Sequence, residues 1–136
     1  MIVLYYFLYS ILWLLAWLPL DVLYVFSYFV YFLSYYVVRY RRKVVRSNLE
    51  KSFPEKSFEE RLRIEKDYYL HFADILFETV KLMRISDAEM KRRMHFSNPE
   101  VMYDICQNNS VVVLLGHYGN WEWLPSIFID AKGFVA

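Results

Sequence analysis

The polar positions along this chain are strongly segregated. From Met1 to Val38 the side chains are almost entirely apolar or aromatic, and Asp21 is the one charged side chain among them. Two apolar blocks, Ile2–Leu18 and Leu20–Val38, flank Pro19 and Asp21. About 20 apolar residues suffice for a helix to cross a bilayer, so this segment predicts membrane insertion. A secretory signal peptide fits poorly, because no basic region precedes the apolar block and no small-residue cleavage site follows it. Pro19 and Asp21 predict a break between one spanning helix and a second helix lying in the interface, with a two-span hairpin as the alternative. The tyrosines of "YVFSYFVYFLSYY" suit headgroup level, where an apolar ring and a polar tip are both satisfied.

Beyond residue 54 the spacing changes to that of an amphipathic helix. Leu62, Tyr69, Phe72, Leu76, Val80 and Met83 recur at helical steps, while Glu59, Arg63, Lys66 and Lys81 fall mostly elsewhere on the wheel. Ser57 and Glu60 have capping-box spacing at its start, and the pattern runs to about Arg84. Ser86 and Glu89 repeat that spacing before a short helix, and Asn98-Pro99 predicts the cap and first position of another. "SVVVLLG" then reads as a strand buried on both faces, and Asn120 as the N-cap of a last helix that continues past Pro125. The expected fold class is α/β: a membrane helix with an interfacial helix, a helical segment, then the first strand-loop-helix unit of a parallel sheet. The divisions are a membrane anchor over 1–38, a basic juxtamembrane segment over 39–54, and the beginning of an α/β domain over 55–136.

Charge adds two points. Arg39, Arg41, Arg42, Lys43 and Arg46 follow the apolar segment directly, marking the cytoplasmic side and offering contacts to anionic headgroups. Nucleic acid is not an expected partner, since net charge is only +1 and this cluster adjoins a lipid-seeking segment. Cys106 is the single cysteine, which excludes an intramolecular disulfide and agrees with a reducing compartment.

The richest candidate chemistry lies in "GHYGNWEW", residues 116–123. On one continuous helix His117 and Glu122 would diverge by about 140°. A strand ending at Leu115, a turn through Gly116 and Gly119, and a helix from Asn120 would instead bring imidazole and carboxylate together. A carboxylate on one ring nitrogen fixes the tautomer and leaves the other nitrogen to take a proton from a substrate hydroxyl. Without Ser or Cys in the loop, that hydroxyl must be the substrate's. A plain strand-to-helix turn with an acidic first helical turn is the competing explanation. His95 and Glu100 share the spacing without the glycine turn and read as surface or capping residues; His71 reads as structural. No histidine or cysteine spacing suggests a metal, and no cofactor is expected.

"LLGHYGNWEW", together with the apolar amino terminus, "RYRRKVVRSNLEKSFPEKSFEER" and "ISDAEMKRRMHF", resembles the late acyltransferases of lipid A biosynthesis, in the versions of Bacteroidetes-type bacteria. The resemblance implies a membrane-anchored α/β domain of the glycerol-phosphate acyltransferase type at the cytoplasmic face of the inner membrane. It implies transfer of a fatty acyl chain from acyl carrier protein to a hydroxyl of a lipid A precursor. His117 would be the general base, Glu122 its orienting acid, and Gly116, Gly119 and Asn120 the loop that shapes the site. Family members continue well past this motif with further strands and basic residues, so this chain is expected to be an amino-terminal fragment with little activity alone. A lysophospholipid or aminolipid acceptor, or a non-catalytic membrane-anchored binding module, are the alternatives.

Overall fold

The computed structural model describes residues 1–107, 109–112, 114 and 116–129, and the chain divides into two compact units, Met1–Met83 and Arg84–Ala136. In the first unit, α1 spans Ile2–Trp17 and is apolar on every side. Pro19 ends it: the residue before a proline is pushed out of the helical region, and Leu18 is extended at φ −68°, ψ 147°. Pro19 then starts the next helix, its carbonyl accepting from the Val22 and Leu23 amides. That helix, α2, covers Leu20–Phe32 and continues as a wider π-helical stretch over Leu33–Val37. Arg39 and Arg41 break the chain with φ of 56° and 51°, in the left-handed region, before α3 at Arg42–Ser52. This third helix lies within the segment read from sequence only as a basic stretch.

Helix α4, Phe58–Lys81, organises the unit. Its start is the expected capping box: Ser57 Oγ accepts from the Glu60 amide while Glu60 accepts from the Ser57 amide. These bonds, the backbone one first, hold the Glu60 carboxyl below its usual range. α2 and α4 run antiparallel in close contact. Tyr24 Oη donates to Glu78 at 2.8 Å, Ser27 Oγ donates to Asp74, and Phe26 stacks on Phe77 at 6.4 Å. Further along, Tyr35 meets Tyr69 edge-on at 5.3 Å, and the Tyr69 hydroxyl donates to the Tyr40 carbonyl. Burial raises the Tyr69 pKa above its ordinary value. Leu20, Leu23, Tyr35, Tyr69 and Ala73 are fully enclosed.

Lys81 departs from expectation. It is buried rather than solvent-facing, and its Nζ donates to the Ala16 and Leu18 carbonyls at 3.2 and 2.9 Å. The last carbonyls of a helix lack intrahelical partners and carry partial negative charge, so a cation is favoured there.

The second unit contains α5 at Asp87–Arg93, α6 at Pro99–Cys106 and a 3₁₀ helix at Trp121–Ile129. Ser86 Oγ accepts from the Glu89 amide as its spacing predicts, whereas Asn98 makes no side-chain cap bond before Pro99. Met90 and Trp123 are buried, and Tyr103 Oη donates to the Ile127 carbonyl at 2.7 Å, tying α6 to the 3₁₀ helix. Pro125 sits inside that helix, and the expected α-helix is replaced by the tighter form.

The α/β expectation is overturned. Among the described residues there is no strand and no sheet, and the regular structure is helical. Val113 and Leu115 of the expected strand lie outside the described residues; Val112 and Leu114 are 85% and 91% exposed. A strand is stabilised by its ladder and by side chains packed on its faces. An apolar run supplies only the tendency to be buried. No neighbouring strand among the described residues supplies the rest.

Candidate active site

The segment that carries His117 is a turn rather than the end of a strand. The Tyr118 amide donates to the Gly116 carbonyl at 2.9 Å, closing a three-residue turn. Gly119 follows with φ +62°, a conformation an L-residue adopts only at a cost. The Asn120 carbonyl accepts from the Trp123 amide at 3.2 Å, opening the 3₁₀ helix. A Cβ at Gly116 or Gly119 would meet nothing within 4 Å, so Gly119 is needed for its backbone angle and not for space.

His117 is exposed, with its ring edge-on to Trp121 at 4.8 Å and 66° between planes. Glu122, half-buried, lies in the first turn of the 3₁₀ helix. The two side chains therefore do not share one helix. They are not bonded to each other either: among the described residues no hydrogen bond or ion pair joins them. His95 is exposed and lines a small cavity of about 150 Å³ with Met90, Phe96 and Ser126, while His71 is exposed on α4. Neither shares the His117 turn.

The basic cluster is a second candidate region, lying in the first unit. Arg39, Arg41, Arg42, Lys43 and Arg46 line one groove of about 440 Å³ at the end of the π-helical stretch. They are not equivalent. Arg42 and Arg46 both bond Glu65, with Nε distances of 3.2 and 2.9 Å, and the Arg42 guanidinium lies 4.2 Å from the Tyr35 ring centre. Glu65 is only 1% exposed. Burial pushes its carboxyl up, but the hydrogen bonds and charges of Arg46 and Arg42 outweigh that and hold it below the usual range. The bond to Glu65 raises Arg46 in turn. Arg39, Arg41 and Lys43 are exposed and have no such acidic partner among the described residues, so most of the groove's charge is uncompensated.

Glu65 was missed in reading the sequence, although a signal was there. It falls three residues after Leu62 and four before Tyr69, on the apolar stripe of its helix. An acid in that position needs a cationic partner.

Leu20–Val37 is the one stretch of described helix long and apolar enough to cross a membrane, by length and composition; α1 is apolar but shorter. Compared with known proteins, residues 1–133 match the family model described as bacterial lipid A biosynthesis acyltransferase. No curated protein and no solved structure matches the chain.

Proposed function

Because the chain belongs to the bacterial lipid A biosynthesis acyltransferases, matched over 1–133, we propose that His117 and Glu122 are its acyl-transfer dyad. The acceptor is a hydroxyl of a lipid A precursor, and the donor is a fatty acyl thioester on acyl carrier protein. One ring nitrogen of His117 takes the proton of the acceptor hydroxyl as its oxygen attacks the thioester carbonyl. The carbon–sulfur bond breaks, and the imidazolium returns its proton to the leaving thiolate. Glu122 orients the ring and stabilises its charged form. Gly116, Gly119 and Asn120 shape the turn.

The observation that carries this reading is local. His117 stands exposed on a glycine turn, outside the helix whose first turn holds Glu122. Substrate can reach the imidazole from solvent, and catalytic hydrogen bonds often close only in the substrate complex. The basic groove fits the same setting: Arg39, Arg41 and Lys43 face phosphorylated lipid at the cytoplasmic surface of the inner membrane, while Arg42 and Arg46 are held by Glu65.

The test is lipid mass spectrometry on cells expressing the protein from its native gene. The expected result is one added acyl chain on lipid A, absent with His117→Ala and reduced on the order of 100-fold with Glu122→Gln. An acyl increment that survives His117→Ala would overturn the dyad; an increment on another lipid would overturn the acceptor.

A further inference from the structure

Helix α2 with its π-helical extension is long and apolar enough to span a membrane, yet its packing opposes crossing. One face, carrying Leu20, Leu23, Ser27 and Tyr35, is buried. Contacts to α4 from Tyr24–Glu78 at one end to Tyr35–Tyr69 at the other cover nearly its whole length. The matching part of α4, from Tyr69 to Lys81, carries Asp74, Glu78 and Lys81. If α2 crossed a bilayer with α4 attached, these charges would enter with it. At about 2.5–3.5 kcal/mol each near the centre, the three cost on the order of 9 kcal/mol. An apolar residue of α2 returns only about 0.3–0.6 kcal/mol, which leaves some 5 kcal/mol for the helix. Stripping α4 away instead would leave Ser27 and Tyr24 without their carboxylate partners and dismantle the core.

The other face of α2 has the opposite character. Val22, Val25, Phe26, Phe29, Phe32 and Tyr36 recur at three- and four-residue steps and are exposed. The exposed positions of α4 are mixed instead: Glu59, Arg63, Lys66, Asp67 and His71 toward its Ser57 end, with Tyr68 among them, then Leu76 and Thr79. The exposed face of α2 is thus continuously apolar, whereas the exposed charge of α4 is gathered in its first half, from Glu59 to His71. At the end of the apolar stripe stand Arg39, Arg41 and Lys43, a cationic border that matches anionic headgroups.

We propose that Leu20–Val37 does not cross the membrane but lies in the plane of an anionic bilayer surface, its Val22–Tyr36 stripe sunk into the headgroup boundary and α4 facing water. This placement is independent of the dyad, and its failure would leave the roles of His117 and Glu122 untouched.

The test uses the whole chain in a Cys106→Ser background, with single cysteines placed in turn at Val22, Val25, Phe29, Phe32, Tyr36 and Lys66. Each is labelled with an environment-sensitive fluorophore and bound to vesicles of phosphatidylethanolamine and phosphatidylglycerol containing lipids brominated at defined depths. An in-plane helix gives the five α2 labels one shared depth, about 5–10 Å below the boundary, with the Lys66 label in water. A crossing helix spreads Val22 and Tyr36 by about 21 Å along the membrane normal, at 1.5 Å per residue. A spread of that size, a Lys66 label quenched by deep bromines, or labels that stay in water would each overturn the proposal. These substitutions sit at exposed positions, and circular dichroism of each labelled chain checks that the fold is kept.

Discussion

Glu65 shows how much one side chain governs in this molecule. Its carboxylate is enclosed, and the two guanidiniums that compensate it come from α3. Replacing it with Gln keeps the shape but leaves two cations facing a core without a counter-charge. Breaking a fully buried pair costs about 3–5 kcal/mol. The partly exposed arginines regain some hydration, so about 2–3 kcal/mol is expected for Glu65→Gln, read from urea denaturation. The pH dependence follows from the direction of its shift. A carboxyl held lower in the folded than in the unfolded chain contributes fully above the unfolded value and loses its contribution as pH falls through the folded one. Stability should therefore hold from neutral pH down to the ordinary glutamate range and decline below it, with the gap between wild type and Glu65→Gln closing in acid. Thermal melts of both proteins between pH 7 and 3 check this. At Gly119 the issue is backbone alone: Gly119→Ala meets no atom but must hold φ +62°, which costs about 1–2 kcal/mol. Gly116→Ala lacks that constraint and should melt within a degree or two of wild type. An equal loss at both positions would mean the turn is constrained differently from its backbone angles.

Among the elements, what could be read from sequence was what is decided locally. The capping box at Ser57 and Glu60 needs only four residues, and both reciprocal bonds are present. The Ser86 cap and the stop at Pro19 are equally local. The run "SVVVLL" was misjudged because strand formation depends on a second strand, which its own residues cannot supply. Lys81 was misplaced for a related reason, since its partners, the Ala16 and Leu18 carbonyls, lie more than sixty positions away. At the candidate site, the glycine turn and the break between His117 and Glu122 were legible; the approach of Trp121 to the imidazole was not. The Lys81 contact carries an element-scale prediction. Lys81→Met keeps a long apolar side chain but leaves the end of α1 without its donor, at about 1–3 kcal/mol for buried carbonyls left unmet. Amide exchange around Leu18 to Leu20 should then quicken by roughly 5- to 100-fold while the Ser57 end of α4 is unchanged. Uniform acceleration along α4 would show instead that Lys81 supports the whole unit.

At the scale of the molecule, the first unit joins a broad apolar surface to a concentrated positive charge, and the two act on membranes differently. The apolar faces of α1 and α2 supply attraction that is indifferent to headgroup charge and to salt. Arg39, Arg41 and Lys43 supply attraction that exists only where the lipid is anionic, about 1 kcal/mol per charge near the surface. Replacing all three with Gln removes about 3 kcal/mol, on the order of a 100-fold loss in partitioning onto phosphatidylglycerol-rich vesicles. On purely zwitterionic vesicles the same variant should partition like wild type, because the apolar term is untouched. Raising ionic strength should weaken wild type toward the variant on anionic vesicles as the Debye length shrinks from about 10 Å at 0.1 M to 3 Å at 1 M. The Arg42→Gln and Arg46→Gln pair makes the contrast. Those side chains already neutralise Glu65, so their loss should register in thermal stability more than in partitioning. Vesicle co-sedimentation at both lipid compositions, with melting curves alongside, separates the two roles. If the Arg42 and Arg46 variants lost vesicle binding while keeping their stability, all five cations would serve the lipid and Glu65 would be only a spectator.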